Sequence, residues 1–111
     1  MTLRELVDSG LFQVVNRGEE LDRTVDRVFC CDLLSVAMCN APAGCAWVTV
    51  MGNINTLAVV ALTDAACVIL AGGVQLDPPA AQRAVQQGIT VLATDQPVFE
   101  AALAVHQRLH G

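Results

Sequence analysis

The sequence contains no lysine and no tyrosine, and its only strongly basic residues are six arginines in 111 positions. Eleven acidic residues give the chain a net charge of −5. Binding to the phosphate backbone of DNA or RNA requires a cluster of basic side chains, which this composition does not supply. We therefore expect no nucleic-acid partner.

Uninterrupted apolar runs of membrane-spanning length are also absent. The most hydrophobic segment, from Ile54 to Val74, is long enough, but Asn55 and Asp64 interrupt it. An aspartate near the middle of a bilayer costs about 2.5–3.5 kcal/mol, so we interpret the segment as buried protein and expect no membrane partner. The first residues lack the basic and then apolar pattern of a secretion signal, which predicts a cytoplasmic location with reduced cysteines.

Sequence motifs that hold phosphate or activate a serine are missing as well. There is no Gly-x-Gly-x-x-Gly loop, no Gly-Lys-Ser/Thr ending and no Gly-x-Ser-x-Gly turn. Gly72 and Gly73 form a lone glycine pair, which is typical of a turn that needs positive φ. We therefore expect no enzymatic activity and assign no catalytic residue.

Five cysteines are present, but no two have the Cys-x-x-Cys spacing of a metal site. Cys30 and Cys31 are neighbours on a predicted strand, where successive side chains point to opposite faces, so they cannot bind one ion. We expect the cysteines to be small packing residues, with no metal and no cofactor. One alternative stays open, because Cys31 lies just ahead of a predicted helix, a position that activates thiols, and is the candidate for a redox function.

Apolar residues make up 54% of the chain and charged residues only 15%, against about 25% charged residues in an average protein. The length predicts a single domain over residues 1–111. A domain of this size leaves much of its surface exposed, so the excess of apolar residues favours a homodimer. The predicted helix 55–62 is apolar nearly all round and is our candidate for the dimer interface.

The predicted elements alternate between helix and strand after an initial helix, strand and turn. In chain order they are helix 2–8, strand 12–16, strand 25–31, helix 33–40, strand 47–51, helix 55–62, strand 67–71, helix 79–87, strand 90–93 and helix 97–109. Regular alternation predicts an α/β domain of two or three layers with a mostly parallel sheet of about five strands. We expect Asp32 and Asn53 to cap the helices that follow them.

Polar residues stand where these predicted strands end, in an otherwise apolar chain. Parallel strands bring their carboxyl ends to one edge of the sheet, which is where open α/β folds bind ligands. We expect two helix N-termini and the glycine pair to offer free N–H groups there. We add Arg23, whose planar guanidinium suits a carboxylate or phosphate, as a side chain reaching into this edge. The predicted ligand-binding residues are Arg23, Asp32, Asn53, Asn55, Gly72, Gly73 and Thr94.

Four segments in a fixed order resemble the DRTGG domain family over nearly the whole chain. They are Leu21-Asp22-Arg23-Thr24-Val25, Asp32-Leu33-Leu34-Ser35, Trp47-Val48-Thr49-Val50 and Val68-Ile69-Leu70-Ala71-Gly72-Gly73. Asp22, Arg23 and Thr24 match the Asp-Arg-Thr-Gly-Gly signature, whereas Val25 and Asp26 stand in place of its two glycines. We expect the segment from Glu19 to Asp26 to be mainly structural, with its side chains fixing a loop.

The resemblance implies a fold similar to the N-terminal domain of HPr kinase/phosphorylase and a module without catalysis of its own. The resemblance also implies a module that is found elsewhere fused beside CBS pairs and other regulatory or enzymatic domains. Free-standing members resemble proteins of anaerobic bacteria whose neighbours include hydrogenase-type redox proteins, which implies iron–sulfur or thiol chemistry as the alternative. We predict a regulatory or adaptor domain that binds a small nucleotide-like ligand or a partner protein.

Overall fold

A computed structural model describes all residues from Met1 to Gly111. The strands are β1 (Gln13–Asn16), β2 (Val28–Cys30), β3 (Ala46–Thr49), β4 (Cys67–Leu70) and β5 (Val91–Ala93). The helices are α1 (Leu3–Asp8), α2 (Leu34–Asn40), α3 (Ile54–Thr63), α4 (Pro78–Gln87) and α5 (Val98–His110). These elements confirm the predicted α/β domain with five strands and alternating helices. The second strand is shorter than the predicted 25–31, because Val25 belongs to the loop before β2 and not to the sheet.

The five strands form one sheet in the order β1-β5-β4-β3-β2. From β2 to β5 the strands are parallel and lie side by side in chain order, whereas β1 is antiparallel to β5 at the edge. Crossovers between parallel strands share one handedness, so α2, α3 and α4 all lie on the same face. These three helices form a row across the parallel strands, and β1 lies at the edge of the sheet next to β5.

The sheet is buried between two separate hydrophobic cores. Alternate residues of β4 show this, since Cys67 and Ile69 pack toward α1 and α5, whereas Val68 and Leu70 pack toward the other three helices. All four of these side chains are fully buried. Strands buried on both faces read as continuous apolar runs, which explains the high apolar content. The sequence predicted either two or three layers, and the structure has three.

Helix α3 and strand β4 account for the most hydrophobic segment of the sequence. α3 packs on β4 and is flanked by α2 and α4, so its apolar character reflects burial on several sides. Only its end exposes a large apolar side chain, Leu62, with 71% of its surface accessible. None of the helices combines the length and the hydrophobicity required to cross a bilayer.

Arg23 fastens the loop before β2 to the end of α3. Its guanidinium donates hydrogen bonds to Asp64 Oδ1 at 3.1 Å and to the Asp64 carbonyl oxygen at 2.9 Å. Glu20 Oε2 lies 3.9 Å from the same guanidinium. Glu20 and Asp64 are the two non-glycine residues with positive φ, at 56° and 59°. The arginine therefore stabilises two backbone positions that are intrinsically unfavourable.

The remaining signature residues also make contacts within the chain. Asp22 pairs with Arg4 at 3.2 Å, and Thr24 forms an isolated β-bridge with Thr2. Val25, at the first position where the family signature has glycine, is fully buried and donates its N–H to the Met1 carbonyl at 2.8 Å. The valine fills the core beneath α1, and its φ is not positive, so no glycine is needed here.

Replacing Arg23 with alanine is expected to destabilise the domain by about 1–2 kcal/mol. The variant loses two charge-assisted hydrogen bonds of a side chain that is 23% exposed, and surface screening reduces their contribution. Urea unfolding followed by circular dichroism measures the change. Arg27→Ala is the matched control, because Arg27 is 62% exposed and its ion pair with Asp26 spans 3.9 Å. Equal destabilisation by both substitutions would contradict a structural role for Arg23.

Candidate ligand site at the carboxyl edge of the sheet

The predicted ligand-binding residues lie at two opposite edges of the sheet. Asp32, Asn53 with Asn55, the glycine pair and Thr94 follow β2, β3, β4 and β5 respectively, at the carboxyl edge. Arg23 instead contacts Asp64, which precedes β4 and therefore lies at the amino edge. The arginine does not reach the other predicted residues. Chain order alone could not show this, because the loop before β2 runs along the amino edge.

Asp32 does not cap α2, although the sequence predicted that it would. The N-cap of α2 is Leu33, with no side-chain hydrogen bond. The carboxylate of Asp32 instead accepts hydrogen bonds from the Thr49 hydroxyl at 2.8 Å and from the Val50 N–H at 2.9 Å. A tertiary contact with the end of β3 has replaced the local cap, and the side chain now holds together the carboxyl ends of two neighbouring strands.

Asn53 caps α3 as predicted. Its Oδ1 accepts hydrogen bonds from the N–H groups of Asn55 and Thr56, at 2.9 and 3.1 Å. These are the N–H groups that a helix N-terminus would otherwise offer to an anion. The cap therefore occupies the donors that made this helix end a candidate anion site.

Gly72 and Gly73 both have positive φ, at 70° and 77°, as a glycine pair in a turn predicts. Their N–H groups are not free, which differs from our expectation. Gly72 donates to the Gln96 carbonyl at 2.7 Å, and Gly73 donates to the Thr94 carbonyl at 3.0 Å. The pair thus connects the loop after β4 to the loop after β5, and its N–H groups are not available to bind a phosphate.

A cavity of about 450 Å³ opens at this edge, between β1, the end of β5 and the loop that leads into α4. Gly73 and Thr94 are the only predicted ligand-binding residues in its lining. The full lining consists of Leu11, Gln13, Val15, Gly73, Val74, Gln75, Leu76, Ala81, Ala93, Thr94 and Asp95. The cavity exists because the row of helices on this face ends at α4, which packs only partly against β1 and leaves Gln13 and Val15 exposed.

Three polar residues of the cavity were missed by sequence reasoning. Gln13 belongs to β1, whose place beside β5 depends on a pairing between distant parts of the chain. Gln75 lies in the loop after the glycine pair, and Asp95 directly follows Thr94. Asp95 carried a signal, because it stands in the same polar loop as Thr94. Its Oδ1 would lie 3.4 Å from a Cβ built on Gly73, so the carboxylate borders the glycine directly.

The five cysteines are free thiols and differ in their burial. Burial raises the pKa of Cys45 to about 11 and that of Cys67 to about 12. Partial burial, together with the charge of Asp32, also raises the pKa of Cys30. The Cys31 thiol donates a hydrogen bond to the Leu33 carbonyl at 3.3 Å. No group of three or more histidine, cysteine or acidic side chains is arranged to hold a metal ion.

At pH 8 we expect Cys45 and Cys67 to react with a thiol reagent such as Ellman's reagent only after unfolding. Both side chains have no accessible surface, and their raised pKa values keep them protonated. Fast modification of either thiol in the folded protein would contradict this burial.

The same two thiols predict a loss of stability at alkaline pH. An unfolded thiol ionises near pH 8.5, whereas the folded thiols stay protonated to about pH 11 and 12. The folded state therefore binds more protons above pH 8.5, and the free energy of unfolding falls as the pH rises through this window. Urea midpoints measured from pH 7 to pH 10 should decrease, and a smaller decrease is expected for Cys67→Ala.

A search of the solved structures found the CBS and DRTGG domains of the regulatory region of Clostridium perfringens pyrophosphatase, crystallised with its activator diadenosine tetraphosphate. The TM-score is 0.75 and the sequence identity is 17%. The alignment covers 96% of this chain and 46% of the crystallised chain, so the present chain spans about half of that region. At this identity the similarity shows a common fold. A search of the curated proteins found no significant match.

The comparison with protein families gives a match that spans almost the complete sequence. The DRTGG domain model aligns with residues 6–108, which include the arginine of the amino edge and the glycine pair of the carboxyl edge. The three signature residues that the sequence retains and the fold of the crystallised DRTGG region agree with this match. The chain therefore belongs to the DRTGG domain family.

Proposed function

We propose that this domain is a regulatory or adaptor module that binds a small nucleotide-like ligand or a partner protein and has no catalytic activity. The observation that carries the proposal is the cavity of about 450 Å³ at the carboxyl edge. Small-molecule sites usually have volumes of about 300–1,000 Å³, combine apolar walls with a few polar groups, and lie at this edge of α/β sheets. The cavity has each of these properties.

The nucleotide class of ligand is supported by the structural comparison. The crystallised C. perfringens region contains a DRTGG domain of the same fold and was obtained with a dinucleotide activator. It also contains CBS domains, and it is about twice as long as the present chain. The comparison therefore supports a regulatory role and a ligand class, and the position of the site rests on the cavity in this chain.

The absence of catalysis is proposed from the lining of the cavity. None of its residues is a serine, cysteine, histidine or lysine. Its one hydroxyl, Thr94 Oγ1, accepts a hydrogen bond from the Gln96 N–H and makes none with the neighbouring Asp95 carboxylate, so no base activates it. The two histidines, His106 and His110, lie near the end of α5 at the other edge of the sheet, with their ring centroids 4.4 Å apart and their planes tilted by 46°. The thiol-dependent alternative gains no support, because its candidate, Cys31, donates its thiol hydrogen to the Leu33 carbonyl at 3.3 Å and is not part of the cavity lining.

A homodimer in the cytoplasm remains part of this proposal. Its support is the set of large apolar side chains that the domain leaves exposed on several elements. They are Val14, Val15, Leu33, Val36, Met38, Val50, Leu62, Val85, Phe99 and Leu103. Only Leu62 belongs to the predicted interface helix. Light scattering at micromolar concentration is expected to give twice the chain mass of 11.7 kDa, and a mass of one chain would exclude the dimer.

Nucleotides and nucleosides are expected to raise the melting temperature of the domain. A ligand at a hundred times its dissociation constant adds about 2.7 kcal/mol, which corresponds to roughly 10–20 °C for a domain of this size. Differential scanning fluorimetry with a panel of both classes measures the shift. If the whole panel leaves the melting temperature unchanged, the small-ligand form of the proposal is wrong and binding of a partner protein is the form that remains.

Gly73→Val tests whether the ligand occupies the cavity. The side chain would enter the cavity beside Asp95, and the positive φ of 77° also makes the substitution destabilising by about 1–3 kcal/mol. Gly44→Val is the matched control, because Gly44 has φ of 78°, an added Cβ would also meet an oxygen at 3.4 Å, and it precedes β3 at the opposite edge. Only Gly73→Val should remove the ligand-induced shift. Equal loss in both variants would contradict this location.

A further inference from the structure

The lining of the cavity carries one ionisable group, the carboxylate of Asp95, and no cation. Four of the six arginines are engaged in ion pairs elsewhere. These pairs are Arg4 with Asp22, Arg17 with Asp8, Arg23 with Asp64, and Arg27 with Asp26. No positive side chain in the lining is available to neutralise a phosphate.

The other two arginines point away from the cavity or lie far from it. Arg83 is on α4, two residues after the lining residue Ala81, and two residues correspond to about 200° around a helix. Arg108 is in the last turn of α5, a helix that begins at the carboxyl edge and runs toward the amino edge. Neither arginine is among the lining residues.

The glycine pair does not replace the missing cations, and the N–H groups of Gln75, Leu76 and Asp95, which form no hydrogen bond within the chain, are uncharged donors. The N–H groups of Gly72 and Gly73 are bonded to carbonyl oxygens, and the N–H of Gln96 donates to the Thr94 hydroxyl oxygen at 3.2 Å. A phosphate in the cavity would therefore face Asp95 in a chain whose net charge is already −5. Asp95 is an exposed residue, so water weakens this repulsion between like charges, and it is largest at low salt.

The groups that are present suit an uncharged, hydrogen-bonding molecule. The side chains of Gln13, Gln75 and Asp95 form no hydrogen bond or ion pair within the chain, so their polar atoms are available to a ligand. A carboxylate accepts two hydroxyl hydrogen bonds, as acidic residues do from the ribose in dinucleotide-binding folds. A carboxamide offers a donor and an acceptor side by side, which matches the edge of a nucleobase.

We propose that this cavity binds the nucleoside part of a ligand, with Asp95 accepting hydrogen bonds from the ribose hydroxyls and the phosphates remaining outside in solvent. The inference rests on the proposed ligand-binding function and specifies which part of the ligand is recognised. Apolar contacts to the flat base come from Leu11, Val15, Val74 and Leu76, which belong to the walls. Affinity should therefore depend on the nucleoside and decrease as phosphate groups are added.

The direct test is titration of the isotopically labelled domain with adenosine, ATP and tripolyphosphate, followed by amide NMR spectra. Adenosine is expected to shift the amide signals of Gly73, Thr94 and Asp95, and ATP to shift the same signals with at least threefold weaker affinity at low salt. Raising the salt concentration should reduce this difference, because salt screens the repulsion. Tripolyphosphate alone should shift none of these signals.

Asp95→Asn should weaken adenosine binding about tenfold, since hydrogen bonds to a charged acceptor are lost, and should reduce or abolish the preference for adenosine over ATP. Asp26→Asn is the control, because it removes the same charge from an exposed position ahead of β2, at the opposite edge. It should leave both affinities unchanged.

Tighter binding of ATP than of adenosine, or binding of tripolyphosphate at these amides, would overturn the inference while leaving a nucleotide-binding function in place. Shifts caused by adenosine at other residues, or no shifts with any of the three compounds, would also overturn it. In the last case the proposed function would survive only as binding of a partner protein, so the two failures give different results.

Discussion

The arrangement of the whole domain depends on one constraint, which is that β2, β3, β4 and β5 lie side by side in chain order with the same handedness of crossover. This places α2, α3 and α4 on one face and leaves the other face to α1 and α5. The antiparallel strand β1 then extends the sheet beyond the last helix of the row. The cavity is a consequence of this order, because α4 covers β1 only in part and no fourth helix follows it on this face.

The two edges of the sheet have different roles. At the amino edge, Arg23 holds Glu20 and Asp64 in left-handed conformations and so connects the signature loop to α3. At the carboxyl edge, the glycine pair connects the loops after β4 and β5 through hydrogen bonds to Thr94 and Gln96. The retained signature residues therefore make their contacts within the chain, and the cavity lies about one strand length away from them.

Local features of the sequence predicted the fold well, and features that depend on tertiary pairing were harder to predict. Asn53 caps α3 as expected, because a cap needs only the next three residues. Asp32 was expected to do the same for α2, but a threonine hydroxyl and a backbone N–H from β3 compete for its carboxylate. Gln13 became a candidate site residue only when β1 was seen beside β5, a pairing that spans most of the chain.

Cys45 and Cys67 are completely enclosed by the core, one on each side of the sheet. An added atom on either sulfur, such as the oxygens of a sulfinic acid or an alkyl group, would have no space in the folded protein. A molecule that is modified while briefly unfolded could therefore not refold to the same structure. In the presence of oxidants or electrophiles, the lifetime of the domain would be set by how often it unfolds, since the folded state protects both thiols.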